Sequence, residues 1–577
     1  MAYHLEGNEL VIDGWEKGIS DNPYDGLCDM RGINIVSVPG ETAVSFAPSV
    51  KSLSTLTASV VSADPGTEII TVTVSTGAIE SYQAVTFAGG SLPTGIVAGT
   101  VYWIEKVSTI TAKVYTDRNL TTPLNITATG TGTMASIDMG SIKYFDQVTG
   151  AALDSNGRAW FLSSSSYSFL GNTVSGTLAN TNGNGLCWFN GYLFLFYDSS
   201  ICYLPWTPGI NPTGAWVNEW NPATAAPDPG VAVFNTALGI HNQHQAIVAV
   251  NDGGLYITDA NYVASLLEVS GATFNPASGA TYTWAKQAVT LPEGDIMNCL
   301  AELGTQLLIG GSFNAIYTWD RINTNRGQAL LISDSGIYFM ITINTNTYIF
   351  AGKRGRIYVT NGSQAQLYAK IPDHISGGID PLITFGNCAY NKNQLYFGVS
   401  ATNNVQSTIT SYAGLWAIDI TTNALRVVVL ATTTTAAVTA VYAYTSQAIS
   451  GYGLYFGWST GSAYGINGLV SSNPYTSYVA YVESDLIPIG QYLNKKTFEN
   501  IEIKLALPLV SGEGVKISVR PYRSGSYTEV GETTTAGAIS DYYLVNFDQY
   551  QWLQVKAELK STSNSPSFVR LMQIRIR

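Results

Sequence analysis

One hairpin recurs along the middle of this chain. A short apolar strand runs into a turn and leaves as a second strand rich in aromatic residues. The copies are NGRAWFLS (156–163), GYLFLFYDSSICYLPW (191–206), AIVAVNDGGLYIT (246–258), TQLLIGGSFNAIYTW (305–319), TYIFAGKRGRIYVTNG (347–362), QLYFGVS…GLWAID (394–419) and GYGLYFGWSTGSAYGING (451–468). Most recur about 40–60 residues apart, the span of a four-stranded propeller blade. In YLFLFY (192–197) both faces are apolar, so both must be covered. Four copies place Gly after an aliphatic or aromatic pair, in LIGG, IFAG, YFGV and YFGW. Gly weakens a strand unless another backbone must approach it closely, and blades crowd near a propeller axis. The pattern therefore predicts a β-propeller over 137–484. Two stacked β-sandwiches with similar hairpins are the alternative.

The flanks read differently. Residues 51–136 are almost bare of charge and carry short strands such as IITVTV, QAVTF, GTVYWIEKV, TAKVYT and NITATG. They predict a small inserted β domain that projects from a loop of its host. Residues 485–577 alternate strictly in IEIKLAL, VKISVRPY, LQVKAELK and LMQIRIR. One wet and one dry face imply a β-sandwich, with Leu507 and Met572 among the inward positions. Residues 1–50 form a lead-in and closing strand. A ring of blades must be locked where its ends meet, so 33–47 are expected to pair into the blade completed near 450–480.

Composition supports an all-β chain. Charged residues are 12%, aromatics 11%, with 56 Gly and 35 Tyr, and few stretches have helical texture. The net charge of −12 argues against gripping nucleic acid, which needs clustered Lys and Arg. The five cysteines, Cys28, Cys187, Cys202, Cys299 and Cys388, lack CxxC spacing and read as buried thiols of a reducing compartment. The first ten residues lack the basic and apolar regions of a signal peptide. No apolar run is long enough to span a membrane.

Candidate chemistry is sparse. His241 and His244 form HNQH, with Asp252 or Asp259 imaginable as a third metal ligand, but such pairs are mostly surface residues. No GxSxG, GxxxxGK[ST] or strand-borne GxGxxG is present. Asp252, Asp259, Asp320, Asp373 and Asp380 are the carboxylates that a propeller glycosidase would draw on. Most sit at hairpin ends, where Asp satisfies backbone donors. Trp188, Trp206, Trp216 and Trp220 could stack on sugars, or fill seams between blades. The reading is a non-enzyme with no catalytic, cofactor-binding or metal residue and no cofactor.

The segment IDGWEKGISDNPYDGLCDMRGINIVSVPGETAVSFA (12–47) resembles the N-terminus of tail proteins of tailed bacteriophages. The string VTFAGGSLPTGIVAGTVYWIEKVSTITAKVYTD…NITATGTGTM (85–134) resembles a small β domain of such proteins, and IDMGSIKYFDQ…LDSNGRAWFL (137–162) resembles the return to their body. FENIEIKL…VKISVR…WLQVKAEL…FVRLMQIRIR resembles their terminal sandwich. The resemblance implies a virion component made in the host cytoplasm: the tail nozzle, or tail hub, of a short-tailed phage. Its implied partners are further copies of itself in a sixfold ring, a portal-adaptor protein, tail fibres or spikes, and viral DNA sliding through the lumen without sequence-specific binding. A receptor- or glycan-binding tail protein is the alternative reading, and a propeller glycoside hydrolase is a more distant one.

Overall fold

A computed structural model describes residues 3–577 apart from short stretches, the longest being 20–28, 35–41, 172–182, 209–215, 235–244, 373–380, 404–411, 431–436, 445–452, 488–499, 546–551 and 563–568. Among the described residues the chain is all strand and turn, with no α-helix. The body is a β-propeller. Seven antiparallel blades span 142–171, 185–227, 246–290, 297–331, 337–370, 381–430 and 437–474. Their first strands line the axis and touch in order around the ring, and the seventh touches the first. The seven recurring hairpins fall one to a blade. Five supply the second and third strands, while the copy at 246–258 supplies the first and second, and that at 156–163 only a third.

Each seam between neighbouring blades has its own apolar core, and this is why the middle strands are apolar on both faces. Leu153, Phe161 and Leu170 meet Leu193, Leu195 and Trp206 between blades 1 and 2. Phe194, Phe196 and Trp220 meet Leu255, Ile257 and Leu266 between blades 2 and 3. Similar clusters fill the remaining seams. A fully buried Leu, Ile or Phe contributes roughly 1.5–3 kcal/mol, so a seam outweighs any surface ion pair.

The glycines of the repeat sit where blades touch. A Cβ on Gly310 would lie 2.9 Å from Ile337, one on Gly457 2.6 Å from Ile142, and one on Gly398 2.0 Å from the carbonyl oxygen of Val438. Each is on a second strand and faces the first strand of the next blade. Gly352 of IFAG differs: it lies in a turn at φ +70° against Asp334, where a left-handed backbone is needed.

The ring is closed by Phe46–Val50, which adds to Tyr464–Pro474 as the outer strand of blade 7, with Asn467 opposite Val50 and Leu469 opposite Pro48. This corrects the expected 33–47. Pro48 has no N–H to give, and an outermost strand tolerates that. Ile33–Asn34 and Thr42–Val44 pair with each other, and Thr42 and Ala43 with Leu571 and Arg570. They belong to the sandwich.

The insertion is a closed six-stranded barrel of Leu56–Asp64, Ile69–Gly77, Gln83–Ala88, Val101–Lys106, Thr111–Tyr115 and Gly132–Ser136. NITATG (125–130) makes only an isolated bridge, from Ala128 to Thr94. Gly130 there abuts the backbone of Ser91 and Leu92, so the chain is packed but not paired as a strand. The barrel has its own core. Ala84 and Trp103 reach into the seam between blades 7 and 1.

The C-terminal sandwich recruits the chain's beginning. One sheet runs Tyr3–Glu6, Glu9–Ile12, Arg570–Ile576, Asn500–Leu505, Ser540–Leu544. The other holds Ala480–Glu483, Gln554–Lys560, Gly514–Arg520 and Thr528–Thr533, and Asp29–Arg31 joins it to Leu425–Leu430 of blade 6. The inward residues Ile501, Ile503, Val515, Ile517, Val555 and Leu559 are buried as the alternation requires. Leu507 and Met572 are instead exposed. A register shift at Lys504/Leu505 sets Leu571 opposite Leu505, so Leu571 turns inward and Met572 outward.

Two predictions follow from these contacts. Gly398→Ala should lower stability to denaturant by about 1–3 kcal/mol or more, because the new methyl meets a backbone carbonyl rather than a side chain that can move. A variant as stable as the parent would contradict this seam geometry. The second concerns Glu9, whose carboxyl is held below its ordinary 4.5 chiefly by the hydrogen bond from Arg575, against burial, with Arg577 assisting. A depressed carboxylate stabilises above its ordinary value, and that stability is lost as pH falls through the folded value. Glu9→Gln should therefore be less stable than the parent near neutrality and converge with it under acid, as read from melting temperature against pH.

Candidate functional site

The first strands of the blades enclose an axial cavity of ≈ 560 Å³. Its wall mixes Val148, Trp188, Ile247 and Phe339 with Gln147, Gln245, Asp146 and Glu302. Polar side chains on this wall tie one blade to the next. Gln147 Nε2 donates to Val441 O of blade 7 at 3.0 Å. Trp188 N of blade 2 donates to Asp146 Oδ1 of blade 1 at 3.0 Å. Leu300 N of blade 4 donates to Gln245 Oε1 beside blade 3 at 3.1 Å. Asn298 Nδ2, on the same strand of blade 4, donates to Ile337 O of blade 5 at 3.2 Å.

Burial sets the acid–base character of the cavity. It raises Asp146 above the usual carboxylate range, opposed by bonds from Thr149 and Trp188. It pushes the Tyr144 phenol and the Cys187 and Cys388 thiols well above their ordinary values. Thiols held neutral are poor nucleophiles and poor metal ligands. Glu302 is engaged by Arg321, whose Nη1 donates to Glu302 Oε1 at 2.8 Å and lies 3.5 Å from Asp252 Oδ2. Asp252 also accepts from Tyr256 Oη at 2.6 Å. One guanidinium thus cross-links blades 3 and 4.

Sequence reasoning missed a second set of buried acceptors. Asp295 is fully buried and accepts from Ser312 Oγ at 2.9 Å, Phe313 N at 3.0 Å and Tyr317 Oη at 3.0 Å. Asp334, one blade on, accepts from Tyr358 Oη and from Arg356 Nη1 at 3.3 Å. In both, an Asp ahead of the first strand grips a Tyr of the third strand. The signal was present: AIYTW and RIYVT carry that Tyr at the same place, and GD (294–295) or SD (333–334) precedes each blade. In blade 1, Asp154 accepts from Trp160 Nε1 at 3.0 Å and from the N–H groups of Gly140, Asn156 and Arg158.

The candidates from sequence are dispersed. His241, His244, Asp373 and Asp380 lie outside the described residues. Asp259 is buried at a hairpin end opposite Tyr262. Asp320 caps an exposed turn, accepting from Ile322 N and Asn323 N. Trp206 and Trp220 are buried in blade seams. Trp188 donates to Trp206 O at 2.9 Å and Trp216 to Leu170 O at 3.1 Å. Among the described residues no cluster of three or more His, Cys, Asp or Glu could hold a metal ion. No described helix is long and apolar enough to cross a membrane.

No family model and no curated protein matches the chain. Solved structures similar to it include the β-propeller domain of Cps50 (Swd1) from Myceliophteria thermophila, 13% identical over 58% of this chain and 99% of that one, with a TM-score of 0.38. YCF48 bound to D1 peptide is 11% identical over 58% and 93%, with a TM-score of 0.35. The WD40 propeller domain of Doa1 is 10% identical over 58% and 95%, with a TM-score of 0.36.

Replacing Asp295 tests its role as a lock. Asp295→Ala strands three donors in or beside the core and should cost roughly 2–4 kcal/mol. Tyr317→Phe removes one donor and should cost about 1 kcal/mol. Equilibrium urea unfolding of both variants measures the difference, and equal small losses would show that the carboxylate is dispensable.

Proposed function

We propose that this chain is a structural subunit of the tail nozzle or hub of a short-tailed bacteriophage, assembling with copies of itself into a ring around the path of the viral DNA. The observation that carries this reading is where the polar and apolar groups lie. The carboxylates on the axial wall are engaged within the propeller, Asp146 by Trp188 N of the next blade and Glu302 by Arg321 of its own blade. Exposed apolar side chains lie on both appended units as well as on the propeller. Val61, Val97 and Ile110 are more than half exposed on the barrel. Leu544 is 87% exposed and Tyr542 56% exposed on the outermost strand of the sandwich. Groups of this kind suit contacts between subunits and with an adaptor or fibres.

The axial cavity of a single subunit has the volume of only roughly 20 waters. DNA would therefore pass through the hole of the ring, between subunits. An acidic surface suits that path. A net charge of −12 per chain repels phosphate weakly, by about 0.4 kcal/mol for two charges ~10 Å apart in water, and does not trap a sliding duplex. The lumen-facing carboxylates, the ring order and the docking of adaptor and fibres belong to this proposal.

Electron microscopy of the purified protein, and of particles carrying it, should reveal a ring. A chain that stays monomeric at high concentration and is missing from virions would sink the reading. Leu544→Asp, at a position too exposed to matter for folding, should shift the sedimentation profile toward monomer while leaving the melting temperature within a few degrees of the parent. Unchanged assembly would remove this strand from the interface.

A further inference from the structure

A second concavity lies on the propeller surface between blades 4 and 5, with a volume of ≈ 420 Å³. Its rim is the turn 320–328 of blade 4, and Gln306 and Gly362 close the other side. The turn is braced from within. Asp320 accepts from Ile322 N at 3.0 Å and from Asn323 N at 2.9 Å and Nδ2 at 2.5 Å, and Trp319 Nε1 donates to Asn323 O at 2.6 Å. Gly327 N donates to Thr318 O at 2.6 Å. The Asp320 charge is thereby met by local donors, chiefly the Asn323 N–H, and its carboxyl is held below the usual range.

These bonds leave four lining side chains for an outside ligand: Gln306, Asn325, Gln328 and Arg326. The Arg326 guanidinium lies 4.9 Å from the Tyr317 ring centroid, a cation–π contact that leaves its N–H fork unspent. Three primary amides offer paired donors and acceptors, the match for vicinal hydroxyls. A planar fork matches a carboxylate.

We propose that this concavity binds a saccharide bearing a carboxylate, with the acid group on Arg326 and ring hydroxyls on Asn325, Gln328 and Gln306. The inference does not rest on ring assembly, and each can fail without the other. The probes are oligosaccharides containing glucuronate, galacturonate or N-acetylneuraminate, each beside its neutral counterpart. They are titrated into the full chain by calorimetry and by ligand-observed NMR. At least one acidic probe should bind, and its neutral counterpart should bind more weakly. Arg326→Ala should weaken binding roughly tenfold to a hundredfold, and Arg326→Lys by less, since charge remains without the fork. Arg354→Ala, on a blade 5 turn between the second and third strands and outside the pocket lining, should leave binding unchanged. The proposal is overturned if no acidic probe binds, if neutral counterparts bind equally, or if Arg326→Ala binds like the parent with an unaltered melt. It is also overturned if an acidic protein segment occupies the pocket and no saccharide does.

Discussion

A closed wheel of blades has one weak place, the seam where the chain that built it must meet its own beginning. Here the first fifty residues return to the later chain by strand pairing at three levels. Glu9–Ile12 pairs with Arg570–Ile576, Asp29–Arg31 lies between Leu425–Leu430 and Ala480–Glu483, and Phe46–Val50 completes blade 7. Each pairing satisfies backbone groups that would otherwise face water as an open edge. The first is reinforced by charge: Arg575 reaches Glu9 and Glu6, and Arg577 reaches Glu9 and Glu502. The propeller and sandwich are thus one structure with a shared core, in which Leu10, Ile12 and Trp15 pack with residues of blades 5 and 6 and both sheets of the sandwich.

That architecture explains how a chain with 12% charged residues uses its acids. Many of the carboxylates described above act as acceptors inside the fold. Asp154, Asp295 and Asp334 hold turns and aromatic hydroxyl or indole donors within blades. Asp146 and Asp252 hold one blade to the next. A buried carboxylate surrounded by two or three donors fixes geometry strongly. The turn at 320–328 differs, because its acid braces the loop and leaves the neighbouring amides and Arg326 turned outward.

Much of the fold was legible in sequence because its signals are local. Period-two alternation identified the sandwich strands through Ile501, Ile503, Val515 and Ile517. The glycines after paired apolar residues marked close approach at Gly310, Gly398 and Gly457. Where reading failed, the cause was a contact from far along the chain. Met572 was assigned inward by alternation, and a register shift against the strand ending at Leu505 turned it out. NITATG has strand-like residues, but Gly130 is pressed against 91–92 and pairing passes to Gly132–Ser136. The Asp–Tyr locks went unread because the partners are 22 and 24 residues apart, beyond any helical or strand period.

The sequence by itself determined the class of architecture: seven recurring hairpins that need cover on both faces, a low-charge β insertion, and a terminal sandwich with one dry side. These follow from side-chain periodicity, which depends only on neighbours within a few residues. Tertiary structure alone decided which early strand closes the ring, that the beginning of the chain completes the sandwich, and which acids are consumed as locks. Those outcomes turn on pairings across up to several hundred residues, where backbone hydrogen bonds are alike for every candidate and shape in three dimensions makes the choice.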